Sequence, residues 1–408
     1  MSEARWQDLR GVFQADFNHD GSRVITRLRA GEIGLWDVAA GSRVEGDLAP
    51  ALTSTCYEMS GDHRFVIVGF EKGARVFDCA SAAAISPLLD VPLRDELVVP
   101  AVFAPDGNVI VIFEETQASV WNAKRGERVA AIPMAAGPYE EAPPSAIFTA
   151  DSTRCFLMDP NGTVTRYDTR TWKADGKPMR HPRFDTAYEF DFSASPDGKW
   201  LATFDDAGEN GPKGQLQVWD VTTGRPLGAP LVNVNGFSAR FLADPPRVLV
   251  EPARGPASVR ALPSLKPLYP IAAHDEIDGP ALAVSPNGKW LLAWGSDCTI
   301  ALLDAATGKP QHHYSQKATI GRVLVAPDSM ACYVRYDNST FLNEGFQDNY
   351  VMRLSLPDLN VTASFRSLDF LRGATLSPDG RRLLLLEGGD DQERLRLFNA
   401  TDLSALSD

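Results

Sequence analysis

Cysteine, histidine, basic residues and unbroken apolar runs are all scarce in this 408-residue chain, and each shortage excludes something. The five cysteines (Cys56, Cys79, Cys155, Cys298 and Cys332) are odd in number, widely spaced and without a C-x-x-C pair. A disulfide framework or a structural zinc site would look different. They read as small buried hydrophobes in a reducing compartment. The longest apolar stretches, such as 97–104, are short and broken by proline, far below the roughly 18 residues of a membrane helix. Residues 1–10 carry charge where a signal peptide would carry its apolar core, so a cytoplasmic location is expected. Basic residues number 40 against 53 acidic, a net charge of −13. A phosphate backbone needs clustered Lys and Arg, so neither nucleic acid nor membrane is expected as a partner. The acidity reads as a solubility term.

Glycine and proline, by contrast, are plentiful: 32 and 29 residues, about 15% of the chain against a usual share of about 12%. Apolar residues at 44% and charged residues at 23% are the balance of an ordinary folded protein with many tight turns. Length alone, at about 150 residues per domain, suggests two or three domains. Internal periodicity suggests otherwise.

One pattern recurs along the chain: an apolar strand, a Ser-Pro-Asp-Gly type turn, a second apolar strand, a polar turn, and a third strand ending in aromatic-Asp. The fifth unit shows it most fully, from Phe190 through Ser195-Pro-Asp-Gly198 to Trp219-Asp220 and Thr223-Gly224. The first-turn positions are Asp20, Asp62, Asp106, Asp151, Asp197, Asp244, Asn287, Asp328 and Asp379, between 41 and 51 residues apart. Third strands end at Trp36-Asp37, Phe77-Asp78, Trp121-Asn122, Tyr167-Asp168, Trp219-Asp220, Leu303-Asp304 and Phe398-Asn399. Units six and eight carry Arg260-Ala261 and Leu354-Ser355 instead. Asp-Gly and Asn-Gly supply the positive φ that a tight hairpin requires. Runs such as 109–113 and 382–386 have the continuous apolar character of strands buried on both faces. Four strands in 40–45 residues is the period of a propeller blade, and blades stack because none can bury its faces alone.

These turns and Trp-Asp ends, with Trp-Asp-Val-Thr-Thr-Gly-Arg-Pro-Leu at 219–227, resemble the WD-repeat (WD40-like) β-propeller family in the degenerate form of its bacterial members. Unit seven is also similar in placing His274 13 residues before Asn287, with Ala273 for the family's Gly, and Asp297 in the second turn. The resemblance implies a hydrogen-bonded tetrad of His, Asp, Ser or Thr, and Trp, incomplete here because Leu303 stands at the Trp position. The expected fold class is all-β: one propeller of four-stranded blades spanning 1–408, with nine candidate blades, or eight if a weak unit (six or eight) is not a blade. Residues 3–9 are expected to close the ring as the outer strand of the last blade, removing open edges.

Motifs for chemistry are missing. The six histidines (His19, His63, His181, His274, His312, His313) fall in different units, and each reads as a surface or turn residue. A metal needs three or four convergent ligands, so no metal is expected. No nucleophile elbow, phosphate loop or His-Glu-x-x-His appears, and no cofactor is expected. Acid pairs at Glu114-Glu115, Glu140-Glu141, Asp205-Asp206 and Asp390-Asp391 read as solvated loops and strand ends.

Surface remains. In a propeller, the turns between strands two and three open on the same face as those leading to the next blade. The long insertions at 205–214, 337–350, 133–144 and 180–188 belong to these two types. They bring Tyr139, Phe184, Tyr188, Phe341, Phe346 and Tyr350 to one face. Aromatics on loops of a rigid scaffold suit a protein-binding patch. The competing reading is that they fold back to anchor their own loops. The leading expectation is a non-enzymatic scaffold holding another protein on that face. The alternatives are a propeller enzyme (lyase, lactonase or glycan hydrolase) with acids around a central channel, where Asp16 and Asp191 interrupt otherwise apolar first strands, or a regulatory or immunity subunit of a catalytic partner.

Overall fold

The computed structural model describes residues 9, 11–29, 31–48, 57–70, 73–91, 101–114, 116–134, 145–182, 189–206, 214–232, 238–242, 244–251, 256–271, 281–295, 297–316, 319–337, 349–367, 369–388 and 393–406. The chain is all-β: nine antiparallel sheets, the blades of a β-propeller, with no helix among the described residues. The weak units six and eight are blades as well, each a four-stranded sheet, so the count is nine and the eight-blade alternative falls. Unit six lacks the turn glycine, and the Arg247 guanidinium caps its turn instead, donating to the Pro245 (3.1 Å) and Asp244 (3.3 Å) carbonyls.

Two compact units divide the chain. One holds Met1–Met59, His63–Pro87 and Ala281–Asp408, the other Ser60–Asp62 and Leu88–Pro280. Within the first unit, apolar clusters join blade 7 to 8, 8 to 9, 9 to 1 and 1 to 2. The ends of the chain therefore meet: Leu384, Leu395 and Leu397 of blade 9 pack on Val12, Phe17, Val24 and Trp36 of blade 1. Full burial of each such side chain is worth about 1.5–3 kcal/mol, enough to bind two blades that share no strand ladder. In the second unit, blades 3 to 6 are joined in chain order in the same way. Second strands sit at the centre of every sheet. Val109–Phe113 and Arg382–Glu387 are almost wholly buried, as continuous apolar runs require.

The outer strand is the most variable part. Blades 4 and 5 build it from two short pieces, Lys173–Ala174 with Met179–Arg180 and Arg225–Pro226 with Leu231–Val232. In the last blade a single bridge, Phe398 to Ala405, follows the third strand. The expected outer strand at 3–9 falls, except for Leu9, outside the described residues.

The recurring turn acts as one device. Ser195 Oγ donates to Asp197 Oδ1 (2.7 Å) and accepts the Trp200 N–H (2.9 Å), while the Gly198 N–H closes the turn on the Ser195 carbonyl (2.8 Å). Gly198 has φ +67°, and a Cβ there would lie 2.6 Å from Thr149 Cγ2 in the neighbouring turn. The same Ser-to-acid bond recurs at Ser285–Asn287 and Ser377–Asp379, with Thr149 standing in for serine at Thr149–Asp151. Neighbouring turns are linked in turn, as when the Asn287 N–H donates to Ser329 Oγ (3.1 Å) and Arg382 Nη1 to the Gly21 carbonyl (2.8 Å). Third-strand acids have a separate task. Asp37 Oδ1 accepts the Ala39 and Ala40 N–H groups, and Asp304 Oδ1 those of Ala306 and Thr307. Turn formation therefore accounts for the Asp of each Trp-Asp ending.

Candidate functional site

Three first strands of the first unit depart from regular pairing at one equivalent position. In blade 1 the register passes from Val12–Leu28 to Gln14–Arg27 and leaves Phe13 unmatched. Blade 8 passes from Ile320–Tyr336 to Arg322–Arg335 over Gly321, and blade 9 from Leu371–Glu387 to Gly373–Leu386 over Arg372. Each bulged residue stands seven positions before its turn acid, Asp20, Asp328 or Asp379. A bulge adds a residue to one strand, bends it and redirects its side chain. Phe13 is turned outward and 54% exposed, with the Arg27 guanidinium 5.5 Å from its ring centroid. The Arg372 carbonyl accepts from Arg335 Nη1 of blade 8 (2.7 Å), which fixes the bulge of blade 9 to its neighbour.

These strands enclose a cleft of about 390 Å³. Leu324, Leu384, Leu386 and Leu395 form its apolar wall, and Gln14, Asp16, Arg322, Arg372 and Thr375 its polar part. Gln14 Nε2 donates to Asp16 Oδ2 (2.9 Å). Arg372 Nε donates to the Gly388 carbonyl (3.0 Å) and lies 3.8 Å from Glu393 Oε1. Glu393 is fully buried and takes two hydrogen bonds from Arg29 (2.6 and 3.1 Å). Burial opposes its ionisation, but the Arg29 hydrogen bond and the charges of Arg29 and Arg372 outweigh that and hold the carboxyl below its ordinary range. Arg322 is exposed and has no hydrogen bond or ion pair among the described residues. Phe370, next to the blade 9 strand, is 42% exposed, and its carbonyl is held by the Gly388 N–H (2.8 Å). The arrangement is a concave, partly apolar surface lined by two arginines, one of them held by a backbone carbonyl, and by the exposed ring of Phe13.

Acids on first strands occur as the sequence indicated, though not as one cluster. Asp16 lines the cleft, and Glu58 of blade 2 has its carboxyl pushed up by burial and by the charge of Asp16. Asp191 belongs to the other unit, where burial raises its carboxyl against the opposing hydrogen bond from the Phe192 N–H (2.7 Å).

Of the six aromatics expected on the binding face, Tyr139, Phe184, Tyr188, Phe341 and Phe346 lie outside the described residues. Tyr350 is a strand residue, between Tyr336 and Arg366 in the blade 8 ladder, and its half-buried ring packs on the core. Phe13, Arg322 and Arg372 were missed by sequence reading. Aligning the units on the turn acid and reading seven and six residues back would have singled them out as the only arginines and phenyl ring at those positions in blades 1, 8 and 9.

Two expectations need correction. His181 is not a surface residue but 2% exposed, and Asp205 is not a solvated loop acid but the 2%-exposed penultimate residue of the strand Trp200–Asp206. Three of the four tetrad members, His181, Thr203 and Trp219, are hydrogen-bonded here with Asp205 nearby, whereas His274 lies outside the described residues. His181 Nδ1 shares a hydrogen bond with Thr203 Oγ1 (2.9 Å), which accepts the Trp219 indole N–H (3.0 Å), and His181 Nε2 is 3.8 Å from Asp205 Oδ2. Among the described residues, blades 1 and 3 show the indole bond alone, Trp36 to Thr26 and Trp121 to Ser119 (both 2.9 Å). His181 precedes its own blade's first strand, at the end of blade 4, where the sequence shows no Gly-His pair to mark it. Among the described residues no group of three or more His, Cys, Asp or Glu is placed to hold a metal ion.

The chain is similar in structure to a protein described as the eukaryotic initiation factor, with a TM-score of 0.72 and 13% identity over 95% of each chain. It is also similar to the C-terminal WD40 domain of Sif2, with a TM-score of 0.56 and 13% identity over 96% of this chain and 97% of that one. At such identity the likeness shows the propeller fold and nothing of activity. No family model matches the chain, and no curated protein matches it in sequence.

Proposed function

We propose that the protein is a non-enzymatic scaffold of WD-repeat type that holds a protein partner at the bulged end of blades 8, 9 and 1. The carrying observation is the exposed ring of Phe13 lining a cleft whose backbone is fixed by hydrogen bonds, with a second exposed ring, Phe370, two residues before the lining Arg372. A rigid scaffold that presents aromatic side chains next to a concave surface loses little entropy on binding. The WD-repeat resemblance of the turns and Trp-Asp endings supports the same reading. Peptide display against the immobilised protein tests it. Selected sequences are expected to lose enrichment on the Phe13→Ser/Phe370→Ser variant, and equal enrichment on both proteins would move the interaction elsewhere.

One observation favours a second reading. Asp16 lines the cleft on blade 1, and partial desolvation together with the Asp16 charge raises the exposed Glu58 carboxyl of the neighbouring blade; paired carboxyls of this kind serve general acid–base catalysis. Turnover of a lactone or glycan that disappears with Glu58→Gln would replace the scaffold with a propeller enzyme.

A further inference from the structure

We infer that the cleft between blades 8, 9 and 1 takes an acidic peptide segment carrying an apolar or aromatic side chain. This rests on the scaffold reading and specifies its partner. The protein as a whole is strongly acidic, at −13, yet among the residues that line the cleft two arginines stand against one carboxylate, with Glu393 behind Arg372. Arg322 and Arg372 line it and Arg27 stands beside it on Phe13, against the single lining carboxylate of Asp16. Arg322 carries an unneutralised charge among the described residues, and Arg372 is already oriented by the Gly388 carbonyl. A guanidinium oriented in advance, as Arg372 is, engages a carboxylate at small entropic cost, and Arg322 adds a second positive charge on the same wall.

Three features select a peptide over other anions. Phe13 and the leucine wall offer a seat for an apolar side chain, which a bare anion lacks. Asp16, lining the cleft beside the Gln14 amide, can accept a peptide N–H, whereas it repels a phosphate oxygen. The overall negative charge repels a long polyanion, while a few carboxylates placed between arginines are screened beyond about 10 Å at 0.1 M salt. Three consecutive bulges at one equivalent position, seven residues before each turn acid, build this surface from the scaffold itself rather than from a chance side-chain rotamer.

Fluorescence anisotropy on the full chain tests the inference with three labelled dodecapeptides, each bearing one central Phe. One is rich in Asp and Glu, the second has Asn and Gln in their place, and the third has Lys. The acidic peptide is expected to bind best, to weaken with salt, and to lose about ten-fold or more with Arg322→Gln and again with Arg372→Gln. Melting curves check folding for Arg372→Gln, because Arg372 also holds Gly388, whereas Arg322 serves as the variant without a structural bond. Equal or better binding of the neutral or Lys peptide, still lost with Phe13→Ser, overturns the acidic partner and keeps the interaction face. Displacement of the acidic peptide by succinate or inorganic phosphate at equal concentration overturns it in favour of a small-anion site. Failure of every peptide, together with no selection in display, overturns the scaffold reading too.

Discussion

Replacing Thr203 by valine keeps the side chain's shape and removes one hydroxyl from the core of blade 5. Thr203 is 1% exposed, and its Oγ1 serves both the Trp219 indole N–H (3.0 Å) and His181 Nδ1 (2.9 Å). Valine cannot serve either, and each buried polar group left without a partner costs about 1–3 kcal/mol, so the substitution should cost about 2–5 kcal/mol. Thr26→Val in blade 1 removes only the acceptor of the Trp36 indole and should cost about 1–3 kcal/mol. Urea denaturation followed by circular dichroism compares the two, with hydrogen exchange of blade 5 amides showing whether the loss is local. Coupling supplies the sharper test. His181→Leu should cost at least about 1 kcal/mol less in the Thr203→Val background than in the parent protein. Equal costs for Thr203→Val and Thr26→Val, or an uncoupled His181, would refute the reading of His181 as part of a buried network and return it to an incidental packing role.

Two further expectations concern the recurring turn. Gly198→Ala combines a left-handed φ of +67° with a Cβ 2.6 Å from Thr149 Cγ2, and should destabilise by more than the about 1–2 kcal/mol that backbone strain alone costs. Thermal melting checks it, with Gly288→Ala as reference, where φ is +69° but nothing lies within 4 Å of a new Cβ. The turn acids are expected to contribute a pH dependence of stability. Burial tends to raise Asp197 and Asp379, but hydrogen bonds from the turn serines and the following N–H groups leave both below the ordinary 3.8. A depressed folded pKa stabilises above 3.8 and is lost as pH falls through the lower folded value, so stability should fall below about pH 4. Asp197→Asn should flatten that part of the profile in denaturation measured from pH 3 to 6.

Much of the fold was legible because its causes are local. A Ser-Pro-Asp-Gly segment carries its own hydroxyl-to-carboxylate bond and its own positive-φ residue, so each turn announces itself wherever it occurs. Unit six shows the limit of that rule: Arg247 caps a turn without glycine, the sequence leaves the unit a weak candidate, and the sheet decides that it is a blade. Local spacing points to a tetrad around His274 and Asp297, yet the hydrogen-bonded triple is His181, Thr203 and Trp219, with Asp205 3.8 Å from the imidazole. No spacing rule marks a histidine whose partners Thr203 and Trp219 lie one blade on.

The candidate site was less legible for a similar reason. Phe13, Arg322 and Arg372 are ordinary residues of half-apolar strands, and nothing within five residues of any of them signals a ligand. Their meaning arises when a skipped pair in each ladder turns them toward one cleft and the first and last blades pack together. The sequence by itself determined the repeat, the turns, the all-β class and the scarcity of basic surface, since each follows from chemistry within a few bonds along the chain. The tertiary structure alone decided which charges converge, because residues 13, 322 and 372 meet only when strands from opposite ends of the chain bury their apolar faces against one another.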